Sequence, residues 1–200
     1  MKKYKLTTET LQFAGRTLHR IKAVKDFDSI KAGEFGGWIE NEKNLSQDDN
    51  AWIYGDAMVF DNAEVYGNAN VSDYAKVYGN AEVYGNANIS DYANVFGNAE
   101  VYDYANVSDY AKVYGNAAIK GDAKVHDAVD YIVFKNFWSS GRYFTWTSSN
   151  NKWSVGCFYG TGEELIKKAY ADSEKSGREY ERVVRYVESI LADEKKEKSN

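Results

Sequence analysis

Residues 63–86 read AEVYGNANVSDYAKVYGNAEVYGN, and this stretch contains the six-residue unit that decides the fold. Each unit has Ala in the first position and Val or Ile in the third, and it ends most often in Gly-Asn or Asp-Tyr. The unit repeats without a break from Ala51 to Ala128, which makes thirteen hexads. Ser-Asp-Tyr-Ala recurs every 18 residues, so three hexads form a larger unit. A period of this kind predicts a chain that returns to the same side of a three-sided coil.

The order of residues within a hexad explains the coil. Neighbouring residues of an extended segment face opposite ways, so Val65 points inward while Glu64 and Tyr66 point outward. Gly67-Asn68 then turns the corner, because Gly and Asn tolerate the left-handed backbone of a tight turn. Ala69 faces inward again, where a small side chain fits. The pattern therefore predicts stacked coils with a thin aliphatic core.

The hexads resemble the repeat of left-handed parallel β-helices, which have an aliphatic residue at one inward position and a small one at the other. The resemblance covers 78 of 200 residues, and it implies the left hand of the coil. The segments AGEFGGWIENEKNLS (32–46) and TWTSSNNKWSVGCFYGTGEELI (145–166) resemble parts of phage and prophage proteins named for hexapeptide transferases. That likeness implies a mobile-element origin and no assigned substrate.

We therefore predict a mainly β fold, a left-handed parallel β-helix with three hexads per coil, an N-terminal β-hairpin cap and a C-terminal α+β cap. The hairpin is expected within residues 4–27, where Leu11, Phe13, Leu18, Ile21 and Val24 would cover the open end of the coil. The predicted domains are an N-terminal hairpin and capping coil (1–50), the repeat (51–128), a C-terminal module (129–192) and a frayed tail (193–200).

The C-terminal module is predicted from short alternating segments and two capping signals. Strands are expected at 131–134, 142–147 and 152–158. Helices are expected to begin at Thr161-Gly-Glu-Glu164 and at Ser176-Gly-Arg-Glu179, which match the capping-box pattern.

Charge and cysteine content restrict the environment and the partners. The net charge is −5, and the repeat alone carries −7, so direct nucleic-acid binding there is unfavourable. Cys157 is the single cysteine, which predicts a reducing compartment. We find no signal peptide and no segment near the roughly 20 apolar residues that span a bilayer. The expectation is a cytoplasmic protein of a bacterial host, with no membrane partner.

Catalysis has one candidate residue. The resemblance implies that an acyltransferase would use acetyl-CoA and a His general base in a cleft between neighbouring coils of a trimer. His126 extends the outward ladder of Ser72, Ser90 and Ser108, so it is accessible, but its neighbours Lys124 and Asp127 look unspecialised. No loop interrupts the coil to close a site. Asp73, Asp91 and Asp109 stack at one corner, where turn hydrogen bonds are favoured over a metal ion.

Two further groups of side chains are candidates for binding. In the C-terminal module, aromatic and cationic residues suit a nucleotide ligand, with core packing as the favoured alternative; they are Trp138, Arg142, Tyr143, Trp146, Lys152 and Trp153. On the repeat, two outward aromatic ladders predict self-association, and the resemblance favours a trimer; they are Tyr66, Tyr84, Tyr102 and Tyr78, Phe96, Tyr114.

These observations lead to one main functional prediction and one alternative. The main prediction is a non-catalytic binding or scaffold protein without a cofactor or metal, which sequesters a host protein or a signalling nucleotide for a mobile element. The alternative is a hexapeptide-repeat acyltransferase that uses acetyl-CoA, with His126 as the base.

Overall fold

The computed structural model describes residues 2–138 and 140–197, and the chain divides after Tyr131 into two compact units. The first unit is the predicted left-handed parallel β-helix, with three parallel sheets along its sides. Sheet 1 contains β3 (Phe35–Ile39), β5 (Met58–Val59), β8 (Lys76–Val77), β11 (Asn94–Val95) and β14 (Lys112–Val113). Sheet 2 contains β4 (Trp52–Ile53), β7 (Asn70–Val71), β10 (Asn88–Ile89), β13 (Asn106–Val107) and β16 (Lys124–Val125). Sheet 3 contains β6 (Glu64–Val65), β9 (Glu82–Val83), β12 (Glu100–Val101) and β15 (Ala118–Ile119).

Strands that are 18 residues apart pair in parallel, so equivalent hexad positions of successive coils lie next to each other. Val77 pairs with Val95 and Val101 with Val83. Every first-position Ala and third-position Val or Ile between 51 and 125 is at most 1% exposed. The interior is thus a column of small and branched side chains, as the hexad pattern predicts.

The corners use the left-handed backbone at the fifth residue of each hexad. From Gly55 to Gly121 this residue is Gly or Asp, with φ between 56° and 76°. Where it is Asp, with the exception of Asp109, its carboxylate accepts the backbone N–H of the corner one coil further along, as between Asp73 and Asp91 at 3.3 Å. The same bond joins Asp61 to Gly79 and Asp103 to Gly121. Hydrogen bonds between coils therefore compensate for the strained backbone of an Asp corner.

The N-terminal hairpin extends sheet 1 as the pattern predicts. β1 (Tyr4–Phe13) pairs antiparallel with β2 (Arg16–Ala23), and β2 pairs antiparallel with β3. Of the predicted covering residues, Leu18 and Ile21 are fully buried, and Leu11 and Phe13 pack partly against the cluster of Leu18, Trp38 and Phe60. Val24 is instead 38% exposed, because β2 ends at Ala23.

The entry to the repeat contains an irregular coil. Ile39 pairs with Val59 and Leu45 with Val65, both at an offset of 20 residues, whereas Ile53 pairs with Val71 at 18. The two extra residues lie in the turn after Leu45. A short 3-10 helix (Glu42–Asn44) completes this coil.

The second unit is an α+β structure with its own core. An antiparallel sheet is built from β17 (Tyr131–Lys135), β18 (Tyr143–Thr147), β19 (Lys152–Val155) and β20 (Phe158–Gly160). The third predicted strand is thus two strands, because Gly156 turns the chain with φ of 55°. Two helices follow, α1 (Gly162–Asp172) and α2 (Glu174–Glu197). Their apolar residues and the sheet form one core, which includes Phe144, Trp146, Trp153, Leu165 and Val184.

The helix boundaries differ from the prediction at two places. Thr161 caps α1 with the expected box, but α2 begins at Glu174, where the Ser173 hydroxyl accepts the N–H of Ser176. α2 also continues through residues 193–197 of the tail that we expected to be frayed, with a Lys196–Asp193 ion pair on its last turn. Residues 198–200 of that tail lie outside the described residues. Neither helix in the described part of the chain is long and apolar enough to cross a membrane.

Candidate functional site at the last coil

His126 lies at the end of the repeat, directly after β16. Its ring nitrogen Nδ1 is 2.8 Å from Ser108 Oγ and 3.0 Å from Asp109 Oδ2, which lie one coil earlier. Ser108 is 8% exposed, whereas the His126 side chain is 52% exposed. A half-exposed imidazole is therefore held on one side by a hydroxyl and a carboxylate.

The end of the coil leaves the Asp109 carboxylate available to this imidazole. Asp91 Oδ2, one coil back, accepts the N–H of the next corner residue, Asp109, at 3.3 Å. At the last corner, Asp127 has φ of −142° and opens a 3-10 helix, Ala128–Asp130. The N–H groups of His126 and Asp127 bond to Asp130 Oδ2 at 2.7 and 3.0 Å. Because Asp130 takes the N–H that would have bonded Asp109, the Asp109 carboxylate contacts the ring instead.

This geometry selects one tautomer of the imidazole. A carboxylate only accepts hydrogen bonds, so its bond to Nδ1 requires the proton on Nδ1. In that tautomer Ser108 Oγ is a second acceptor for the same N–H, and its own hydroxyl is 3.5 Å from Asp109 Oδ2. Nε2 then carries a lone pair and makes no hydrogen bond within the described residues. A carboxylate that orients an imidazole in this way is a known means of making a general base.

Sequence reasoning placed His126 on the serine ladder but missed its partner. The residues adjacent in sequence, Lys124 and Asp127, look unspecialised, whereas the relevant carboxylate is 17 residues earlier. The 18-residue period was the signal that could have found it, because it stacks residues 108 and 109 beneath 126 and 127.

The two predicted aromatic ladders exist as continuous stacks. Tyr66, Tyr84 and Tyr102 stack with ring centroids 4.9 and 4.7 Å apart. In the other ladder Phe60 joins the predicted set, with centroids 4.9–5.2 Å apart; its members are Phe60, Tyr78, Phe96 and Tyr114. Most of these rings are half-buried and only Tyr114, at 53%, is largely exposed. The stacking within the chain therefore already covers most of each ring face.

The environment of the tyrosine ladder on sheet 3 raises the pKa of two of its hydroxyls, those of Tyr66 and Tyr84. Burial raises the pKa of Tyr66 and Tyr84 above the usual 10.0, and the carboxylates of Glu82 and Glu100 add to this shift. Tyr66 donates its hydroxyl proton to Glu82 Oε2 at 2.8 Å. Burial and the charge of Glu82 also raise the pKa of Glu100. Tyr66 and Tyr84 thus present neutral phenols beside acidic side chains.

A third ladder was missed by the sequence prediction. Tyr74, Tyr92 and Tyr110 stack at the corner after sheet 2, with ring centroids 5.2 Å apart. They are 47–74% exposed, more than the half-buried rings of the predicted ladders. The recurring Ser-Asp-Tyr-Ala was the available signal, but side-chain alternation does not describe a corner residue.

Comparison with known proteins shows a partial similarity to a protein named as an acetyltransferase. No known protein-family profile matches this sequence. A protein of Escherichia coli (strain K12) named uncharacterized acetyltransferase YdcK is 39% identical over 62 residues, which cover 27% of this chain. The chain spans about a fifth of that protein's length, 19%. Together with the parallel stacked coils, this match identifies the chain as a β-helix repeat protein.

The match also corrects our main functional prediction. We predicted a non-catalytic binding or scaffold protein, and the similar protein is instead named as an acetyltransferase. That prediction is wrong on this finding, which favours the alternative. The error arose because we judged the setting of His126 from its neighbours in sequence rather than from the coil beneath it.

Of the six candidate ligand residues of the second unit, two lie in its core and four lie on its surface. Trp146 and Trp153 are 3% and 2% exposed and lie opposite each other in the core, on β18 and β19. Trp146 Nε1 donates a hydrogen bond to Asn151 Oδ1. Their rings are therefore not available to a ligand, because this thin α+β unit uses its largest side chains to fill the core.

The other four candidates lie on the surface but do not form one site. Trp138 is 51% exposed and, with Phe134, Val183 and Tyr186, lines a pocket of about 330 Å³. The other three lie elsewhere: Arg142 is exposed, Tyr143 lies beneath the Lys135 ammonium, and Lys152 lies over the Tyr159 ring.

Proposed function

We propose that this chain is a hexapeptide-repeat acyltransferase that uses acetyl-CoA as the acyl donor and His126 as general base. The observation that carries the proposal is the contact of His126 Nδ1 with Asp109 Oδ2 at 3.0 Å, at the one corner where the aspartate ladder ends. The similarity of part of this chain to a protein named as an acetyltransferase supports the same reaction class.

The residues would act by passing one proton from the acceptor to His126 and then from His126 to the sulfur of the leaving CoA. Nε2 of His126 takes the proton from the hydroxyl or amine of the acceptor as the acceptor attacks the thioester carbonyl. The new C–O or C–N bond forms as the C–S bond breaks, and the thiol of CoA leaves with the proton. Asp109 accepts the Nδ1–H at 3.0 Å and so holds the ring in place while Nε2 carries the transferred proton. Ser108 fixes the ring through Nδ1.

The first experiment measures release of the CoA thiol from acetyl-CoA in the presence of amine and hydroxyl acceptors. His126→Gln should lower the rate by about 100-fold or more, since general base catalysis contributes 10²–10⁴-fold. His19→Gln is the matched control, because His19 is the other histidine of the chain and lies on β2. A rate that is unchanged by His126→Gln would refute the assignment of the base.

The second experiment tests the tautomer directly. Long-range ¹H–¹⁵N spectra of the neutral His126 ring should show the proton on Nδ1. Asp109→Asn should lower both the Nδ1–H population and the transfer rate, because the amide offers a donor as well as an acceptor. Asp73→Asn is the control, since Asp73 has nearly the same backbone, with φ of 59° against 56°, and its carboxylate accepts only from the Ser72 hydroxyl and the Asp91 N–H within the described residues. A proton on Nε2 in the unchanged protein would contradict the mechanism.

We also propose that the protein works as a homo-oligomer, with three copies favoured. The support is the length of the aromatic ladders, whose three or four rings run along sheets 1 and 3. Acyltransferases with similar repeats assemble along the coil, so this surface is the expected contact. Light scattering should report a multiple of 22.6 kDa, and a monomer at micromolar concentration would refute the proposal.

A further inference from the structure

The N-terminal hairpin carries a widened bulge on its edge strand. In β1, Leu6 pairs with Ile21 and Thr10 with His19, so Thr7, Thr8 and Glu9 lie opposite one residue of β2. β1 is the edge of its sheet, and its bulged segment forms one wall of an open cleft of about 410 Å³. Bulges of this kind are common at sheet edges and beside binding sites.

Two lysines face each other across this cleft. Lys5 of β1 is the direct cross-strand partner of Lys22 of β2, and both line the cleft. Side chains paired in this way have Cβ atoms roughly 5 Å apart, and like charges there are destabilising. The chain has a net negative charge and more acidic than basic residues, yet it places a second lysine, not an acid, opposite Lys5. The fold itself gives no reason for this pairing.

No carboxylate compensates this pair. Neither Lys5 nor Lys22 forms an ion pair within the described part of the chain. Glu9, the acid on the rim, is 3.9 Å from the guanidinium of Arg20. The cleft therefore has two uncompensated positive charges, while its single acid already has a partner.

The remaining lining residues add an apolar surface and hydroxyl groups. Phe35 is 53% exposed, pairs with Lys22 across β2 and β3, and has the Lys22 ammonium 4.6 Å from its ring centroid. Thr7 accepts the N–H of Glu9 through its hydroxyl oxygen at 3.3 Å, which leaves its hydroxyl proton to donate. Thr8 supplies a second hydroxyl to the same cleft.

We propose that this cleft is a binding site for a phosphate monoester with a flat ring, separate from the proposed acyl-transfer site at His126. The two ammonium groups match a dianionic phosphate, which lysine binds as a point charge. The threonine hydroxyls donate to the remaining phosphate oxygens, and the ring of the ligand packs against Phe35. Binding relieves the repulsion between Lys5 and Lys22.

The test is an NMR titration of the full chain with phenyl phosphate, methyl phosphate and benzoate at constant ionic strength. Phenyl phosphate should cause saturable shifts in the backbone amides of residues 5–9, and it should bind at least threefold tighter than either of the others. Lys5→Gln and Lys22→Gln should each weaken binding, and the double variant should weaken it at least tenfold. Phe35→Leu should reduce the affinity for phenyl phosphate to that for methyl phosphate.

Lys31→Gln is the matched control, because Lys31 is an exposed lysine that already pairs with Asp26 at 3.3 Å. It should leave all three affinities unchanged. The proposal would be overturned if sodium chloride alone caused the same chemical-shift changes as phenyl phosphate. It would also be overturned if the double lysine variant bound phenyl phosphate as tightly as the unchanged protein. The same spectra show whether each variant is folded, so a loss of binding can be assigned to the side chain.

Discussion

Successive coils approach each other closely at their corners. The energetic cost of a steric clash at such a corner can be measured by comparing two glycines, of which only one would place an added Cβ against another coil. Gly85 and Gly115 both turn corners with nearly equal left-handed backbone, φ of 69° and 72°. A Cβ on Gly85 would lie 2.8 Å from the backbone N and 3.1 Å from the Cα of Asp103 in the next coil. A Cβ on Gly115 meets nothing within 4 Å. Substitution by Ala therefore adds the same backbone strain at both sites but a steric clash at Gly85 alone.

The expected magnitudes follow from these two contributions. Left-handed backbone costs about 1–2 kcal/mol for a residue with a Cβ, so Gly115→Ala should lower the free energy of unfolding by that amount. Gly85→Ala adds an overpacking cost of about 1–3 kcal/mol. Gly85→Asn should be milder than Gly85→Ala by about 1 kcal/mol, because its side-chain oxygen can accept the N–H of Asp103 as the native Asp corners do.

Hydrogen exchange with mass spectrometry is the suitable assay, because it assigns an opening free energy to peptides of the repeat separately from those of the second unit. Peptides within 81–104 should lose more protection in Gly85→Ala than peptides within 111–122 lose in Gly115→Ala. Equal losses at the two sites would refute the claim that contact between coil backbones selects glycine. A Gly85→Asn variant less stable than Gly85→Ala would refute the role of corner hydrogen bonds.

Three further predictions concern single side chains. Lys3→Met should lower the free energy of unfolding by about 2–4 kcal/mol in urea titrations, because the buried Lys3 ammonium donates to two backbone carbonyls of the first coil that would lose their partner. Burial lowers the pKa of Lys3 below its usual 10.5, so the unfolded chain binds more protons between the two values, and stability should rise with pH in that alkaline window unless Lys3 is replaced. Trp153→Ala should destabilise the second unit by about 3–5 kcal/mol, whereas the exposed Trp138→Ala should change its thermal midpoint little. Tyr84→Glu with Tyr102→Glu should convert the proposed oligomer into a folded monomer in light scattering, and an unchanged oligomer mass would remove this ladder from the proposed interface.

The repeat made the first unit predictable in detail. A hexad with Ala first and an aliphatic residue third determines which side chains enter the core, and all of them are buried from Ala51 to Val125. Gly-Asn at the corner likewise predicted the left-handed backbone, which Asp also adopts from Asp61 to Asp109 but not at Asp127. These features depend on neighbours within six residues, which is why local reasoning sufficed.

The features that sequence reasoning missed depend on contacts between coils or on competition between local signals. The Asp109–His126 contact joins residues 17 apart, and it exists because Asp130 takes the backbone N–H groups of the final corner. The start of α2 was misplaced because Ser173 and Ser176 both fit a cap, and only the fold shows that Gly177 is needed for contact with Tyr170. A Cβ there would lie 2.2 Å from the Tyr170 ring.

The two candidate sites lie where the repeat is broken, and the physics of the coil explains this position. Inside the repeat, corner side chains such as Asn68 and Asn80 donate hydrogen bonds to the like residue one coil further along, Asn86 and Asn98. Asp73 and Asp91 each bond the next corner in this way. At the last coil the ladder has no further corner of this kind, and Asp109 bonds to an imidazole instead. Before the first coil, Lys5 and Lys22 pair with each other beside the bulge of β1, and neither forms an ion pair within the described residues. Both proposed sites therefore use side chains outside the regular ladders, one at the last corner of the repeat and one in the hairpin that precedes it.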